Sequence, residues 1–107
     1  MLFRSSCCKS LQKIIIPDSV EYIQQHAFSE CYSIKEIKLS NNLKVIDDFA
    51  FSNCRALEKI IIPDSITCIG FGAFTNCKSL KRVIIPNNPN IDISSKAFPE
   101  SCEIIIK

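Results

Sequence analysis

A period of 23 residues runs through this chain, and it leaves few folds open. Aligned on cysteine, residues 8–30 read CKSLQKIIIPDSVEYIQQHAFSE, residues 31–53 CYSIKEIKLSNNLKVIDDFAFSN and residues 54–76 CRALEKIIIPDSITCIGFGAFTN, while residue 77 opens CKSLKRVIIPNNPN. Three units keep the period without insertion, and the fourth reaches Ala97-Phe98 one residue late. A unit this short cannot bury its own apolar face, so each must stack on its neighbours. The 107 residues are therefore expected to form a single domain, 1–107, with units 8–30, 31–53, 54–76 and 77–100 and partial repeats at 1–7 and 101–107.

Within a unit, aliphatic residues recur in fixed slots. Leu11, Ile14 and Ile16 correspond to Ile34, Ile37 and Leu39, to Leu57, Ile60 and Ile62, and to Leu80, Val83 and Ile85. The last two of each set are two apart, which is strand alternation. Pro17, Pro63 and Pro86 close the strand, because proline supplies no ladder donor, and PDS or SNN then turns the chain. A second short extended piece follows, with Val20 and Ile23, Leu43 and Ile46, and Ile66 and Ile69 inward. The Ala-Phe pairs at 27–28, 50–51, 73–74 and 97–98 lead back toward the next strand. The expected fold is a solenoid, mainly β or α/β, of about four coils, with a parallel sheet on one face, short opposing strands and a final strand in EIIIK.

The pattern C-x-S-L-x-x-I-x-I-P-x-S-V-x-x-I-x-x-x-A-F, fullest in CRALEKIIIPDSITCIGFGAFTNC at 54–77, resembles the BspA-like (Treponema pallidum-type) class of leucine-rich repeats over nearly the whole chain. The resemblance implies a leucine-rich-repeat solenoid. It also implies a binding rather than a catalytic role, since such repeats occur in surface proteins of bacteria and protozoa that attach to host matrix or to other cells.

The residues themselves point away from several chemistries. Thirteen Lys and Arg against 11 Asp and Glu give a net charge of +2, too little to mark a nucleic-acid or anionic-membrane partner. No apolar run approaches the roughly 20 residues that span a bilayer, and MLFRSSCCKSLQKIIIP offers no signal-peptide core. No Cys-x-x-Cys pair exists, so no metal site is expected. Cys8, Cys31, Cys54 and Cys77 stand one per coil and read as a ladder of small, free, apolar side chains. Parallel Cβ directions argue against cross-linking within that ladder; a disulfide, if formed, is expected at the irregular Cys7 or Cys102. Free thiols favour a reducing compartment. His26, the sole histidine, shares a variable outward slot with Phe49, Gly72 and Lys96, and Asp18 and Asp64 belong to turns. Neither catalytic residues nor a cofactor are expected.

Alternation also sorts residues outward. One exposed ladder is Lys13, Glu36, Lys59, Arg82 and Glu103; beside it runs Ile15, Lys38, Ile61, Ile84 and Ile105. An aligned isoleucine stripe with a charged flank is expected to bind another protein. Glu36 and Lys38 interrupt both ladders and mark where recognition would concentrate. The partial ends carry no polar cap, so homo-oligomerisation through the ends or through the strand face is expected as well. The leading expectation is an intracellular adaptor, scaffold or regulator, in the cytoplasm or beside the membrane cytoskeleton. The alternative is a surface adhesin fragment that binds host matrix or cells.

Overall fold

The computed structural model of the chain describes residues 2–3 and 11–107. Every described strand is parallel to its neighbours, as a coil that returns to its starting point requires. In chain order the strands are β1 (Leu2–Phe3), β2 (Lys13–Ile15), β3 (Tyr22–Ile23), β4 (Glu36–Lys38), β5 (Val45–Ile46), β6 (Lys59–Ile61), β7 (Cys68–Ile69), β8 (Arg82–Ile85), β9 (Asp92–Ile93) and β10 (Glu103–Ile106). The described residues contain no helix, so the fold is a mainly β solenoid. The sequence expectation of EIIIK as a terminal strand is met by β10.

Two sheets enclose one core. The odd-numbered strands form a continuous five-stranded sheet, β1-β3-β5-β7-β9. The even-numbered strands should form the other wall as one ladder, but they form two: β2-β4, and β6-β8-β10. The register keeps the 23-residue period between β2 and β4 and between β6 and β8, with Lys13 opposite Glu36 and Lys59 opposite Arg82, and shortens by two residues between β8 and β10, where Arg82 lies opposite Glu103. The extra residue of the fourth coil falls after β8, in the Asn87–Asn90 segment, because Cys68 pairs with Asp92.

The inward slots are filled as the period predicts. Ile34, Leu43, Ile46, Leu57, Ile62 and Ile69 have no exposed surface, and their counterparts in the other central coils are nearly as buried. Leu11 departs from its slot at 40% exposed, since β2 lies at the edge of its ladder. Phe28, Phe51, Phe74 and Phe98 stack along the solenoid with ring centroids 5.1–5.3 Å apart. That spacing equals a coil repeat, so one aromatic ladder links four coils.

The ladder cysteines do more than fill space. Cys54 Sγ donates to the carbonyl of Phe28 at 3.2 Å, and Cys77 Sγ donates to that of Phe51 at 3.1 Å. Each thiol thus satisfies a buried carbonyl of the Ala-Phe turn one coil earlier. The contact with the Cys77 thiol, reinforced by burial, pushes the Cys54 thiol far above its ordinary range. One expectation is overturned: Cys31 is disulfide-bonded rather than a free thiol. Cys54, Cys68, Cys77 and Cys102 are free. Cys7 and Cys8 lie outside the described residues.

The turn before each Ala-Phe pair has a requirement that its residue types conceal. His26, Phe49, Gly72 and Lys96 share one slot, and all have φ between 57° and 61°. Only glycine takes this left-handed conformation without steric cost. At Gly72 there is a second reason, since an added Cβ would lie 2.6 Å from Cε1 of Phe49.

Candidate functional site

Strand alternation and coil stacking place the ten outward residues as the sequence predicts, in two rows across the even-numbered strands. Lys13 pairs in register with Glu36, and Lys59 with Arg82 and then Glu103. Ile15 pairs with Lys38, and Ile61 with Ile84 and then Ile105. Ile15 is 61% exposed and Ile61 47%, whereas Ile84 and Ile105 are half-buried by the rows flanking them. The charged row is exposed at every rung. Lys13 and Glu36 form a cross-strand ion pair at 3.9 Å, which solvent makes worth well under about 1 kcal/mol.

The two rows do not continue evenly across the molecule. Between β4 and β6 the described residues form no ladder, and a cleft of about 780 Å³ opens there. Glu36, Lys38, Lys59 and Ile61 line it, together with Lys35, Glu58, Asp64 and Lys107. Its floor is apolar, from Ile37, Leu39 and Ile62. The cleft opens on one side only. On the opposite wall β5 and β7 remain paired, and Phe51 N donates to Ala73 O at 2.8 Å across the turn.

The turns that flank the cleft differ in composition and contacts. The second coil has SNN where its neighbours have PDS. Ser40 is fully buried, and its hydroxyl donates to the Val20 carbonyl at 2.7 Å. Asn41 N donates to the Asp18 carboxylate and Asn42 Nδ2 to the Asp18 carbonyl. The second turn is thereby drawn onto the first. Toward the third coil the turn contact is from Ser65 Oγ, which donates to Leu43 O at 2.6 Å.

Sequence reasoning singled out Glu36 and Lys38, which line the cleft, but did not foresee the cleft or its remaining walls at Lys35, Glu58, Asp64 and Lys107. The available signal was the SNN substitution, two residues beyond Lys38. Lys35, Lys38, Lys59 and Lys107 stand against Glu36, Glu58 and Asp64, so the rim carries a small cationic excess, with Lys107 and Asp64 paired at 3.6 Å.

His26 sits elsewhere, exposed on the outer turn. Its Nδ1 is 3.0 Å from Ser29 Oγ, and its ring stacks on Phe49 at 5.3 Å. A serine–histidine contact invites comparison with a nucleophile and its base, but Ser29 Oγ is committed to the Phe49 carbonyl at 2.8 Å. Among the described residues no carboxylate is hydrogen-bonded to the other ring nitrogen, so nothing orients the base. Cys68 lies half-buried on the outer wall, in register with Val45 and Asp92. Burial, then the carboxylates of Asp92, Asp47 and Asp48, raise its pKa and keep it a thiol. No group of three or more His, Cys, Asp or Glu among the described residues is arranged to hold a metal ion. No described helix is long and apolar enough to cross a membrane.

No curated protein sequence matches the chain. Solved structures do. A leucine-rich cell surface protein from Faecalibacterium prausnitzii superposes with a TM-score of 0.74 at 28% identity, over 91% of this chain and 26% of that one. A leucine-rich repeat protein from Bacteroides capillosus gives a TM-score of 0.55 at 26% identity, over 92% of this chain and 55% of that one. The pneumococcal vaccine antigen PcpA gives 0.68 at 23% identity, a likeness of fold, over 91% of this chain and 25% of that one. The chain spans about a quarter of the length of the Faecalibacterium and pneumococcal proteins. The family model for the BspA type leucine rich repeat region matches residues 2–106 in six copies. With its 23-residue period, parallel coils and aromatic ladder, the chain belongs to the BspA-type leucine-rich repeat family.

Proposed function

We propose that the chain is a non-catalytic protein-binding module of a cell-surface protein, engaging its partner across the even-strand face with the β4/β6 cleft at the centre. The carrying observation is the cleft itself: an apolar floor and a half-exposed Ile61 inside a charged rim, on a face otherwise built of paired strands. That is the anatomy of an interface, with a desolvated centre and a polar surround. The cationic bias of the rim favours a partner surface that carries carboxylates. Lys13, Ile15, Arg82, Ile84, Glu103 and Ile105 would extend the contact along the neighbouring coils.

Two observations support a surface location. The Faecalibacterium protein, which shares 28% identity across most of this chain, is described as a cell surface protein. The disulfide at Cys31 fits an oxidising environment, and it removes part of the basis for the cytoplasmic adaptor that free thiols suggested. The partner would then be a protein of the host matrix or of another cell. Four free thiols keep the adaptor as the second reading, and labelling of intact cells with an impermeant reagent separates the two.

The test of the face is the double substitution Ile61→Glu/Ile84→Glu. It should abolish capture of a partner that wild type retains, with the melting curve shifted by no more than a few degrees. Undiminished capture by the double variant would remove the strand face from the reading.

A further inference from the structure

The cysteine ladder carries chemistry that the strand face does not use. Cys54 and Cys77 open the third and fourth coils, and neither has any exposed surface. Both are free thiols. The backbone ahead of them is fixed coil to coil, since Asn53 N donates to Thr75 O at 2.8 Å. Parallel neighbours bonded in this way keep their Cα atoms about 4.8 Å apart, within the roughly 4.4–6.8 Å that a disulfide spans. The side chains converge as well: the two thiols lie in hydrogen-bonding contact with each other.

We infer that Cys54 and Cys77 form an oxidation site, at which a small disulfide-bearing oxidant closes a Cys54–Cys77 bond. The slot has a precedent in this chain, because Cys31, its equivalent one coil earlier, is disulfide-bonded. The inference holds whichever face binds a partner. In the first step the thiolate of one cysteine attacks the oxidant R–S–S–R. The oxidant's S–S bond breaks, one thiol leaves carrying the proton lost by the protein, and a mixed disulfide remains. The second thiolate then displaces the other R–S group in the same way. The protein loses two protons and two electrons and gains one S–S bond, and the oxidant is reduced to two thiols.

Other pairings are less well placed. Cys31 is already bonded, and Cys68 lies on the opposite wall between Val45 and Asp92. Cys102 is half-buried and stands one residue past the ladder, where Ser101 takes the expected place. Closure removes the S–H donors to the Phe28 and Phe51 carbonyls, although Phe28 O keeps the Cys31 N–H at 3.4 Å. In exchange it rivets the coil that carries β6 to the coil that carries β8. Because both sulfurs are buried, the oxidant meets them only when the coils part locally. Closure should therefore be slow in the native chain and faster in urea below the unfolding transition.

Cys68 shares tryptic peptide 60–78 with Cys77, so the test uses the full chain with Cys68→Ser. It is held native with excess oxidised glutathione, alkylated in denaturant, digested without reduction and mapped by mass spectrometry. Peptide 45–55 should be recovered joined to peptide 60–78 through Cys54 and Cys77. The urea midpoint should rise by about 1 M on treatment, and should not move when Cys77→Ser is added. Recovery of Cys54 and Cys77 as alkylated thiols overturns the proposal. So does a glutathione adduct that persists on either one, or a bond that joins Cys54 to Cys31 or Cys77 to Cys102.

Discussion

Phe51→Ala should be the most damaging single truncation in this molecule, and the reason lies in how a solenoid stores stability. Phe51 is fully buried, with Phe28 stacked at 5.2 Å on one side and Phe74 at 5.1 Å on the other. Its removal costs the transfer of a phenyl ring, the cavity left behind and two ring stackings, together about 3–5 kcal/mol. Domains of this size are stable by only about 5–15 kcal/mol, so much of the total is lost. The half-buried Phe98 meets the aromatic ladder on one side, at 5.3 Å from Phe74, and its truncation should cost about half as much. Urea titration followed by far-UV circular dichroism measures both. Phe51→Ala should also lower the slope of the transition, because coils on either side of a broken interface begin to unfold separately. If Phe98→Ala costs as much as Phe51→Ala with equal slopes, stability is not carried by coil-to-coil stacking, and that reasoning fails.

Further outcomes follow from particular contacts. Ser40→Ala removes a donor to the Val20 carbonyl and an acceptor for Asn42 N, and should cost about 1–3 kcal/mol by urea denaturation. Lys96→Gly relieves a left-handed residue at φ 59° on an exposed turn and should raise stability by about 0.5–1 kcal/mol. Gly72→Ala should lower stability, because the same slot there faces the Phe49 ring. The thiols of Cys68 and Cys102 have pKa values raised in the folded state, chiefly by burial. Unfolded thiols ionise first, so their contribution is whole below about pH 8.5 and is lost as the pH climbs beyond it. The urea midpoint should accordingly fall between pH 7 and pH 10, and Cys68→Ser/Cys102→Ser should flatten that fall.

Much of this could be read before any coordinates. A period of 23 fixed the coil, and alternation assigned Ile34, Ile60 and Ile69 to the core and Lys13, Lys59 and Ile61 to the surface. Those assignments hold because repeated slots average over local accidents. Features that rest on a departure from the repeat were harder to see. The sheet break lies beside a turn in which Ser40, Asn41 and Asn42 bond backward to Asp18 and Val20, and no slot pattern encodes either feature. The left-handed turn was hidden because His26, Phe49 and Lys96 occupy a position whose glycine preference shows only at Gly72. The cysteines looked uniform in sequence, yet Cys31 is cross-linked while Cys54 and Cys77 cap carbonyls.

The face that meets a partner can be located by site-specific photo-cross-linking. A photoreactive residue at Lys38 or at Ile61, in the cleft, is compared with one at Thr67, exposed on the opposite wall. On the surface of intact target cells, or on matrix protein, covalent adducts should form from positions 38 and 61 and be absent from 67. Adducts from 67 with none from the cleft would place recognition on the other wall and contradict the account.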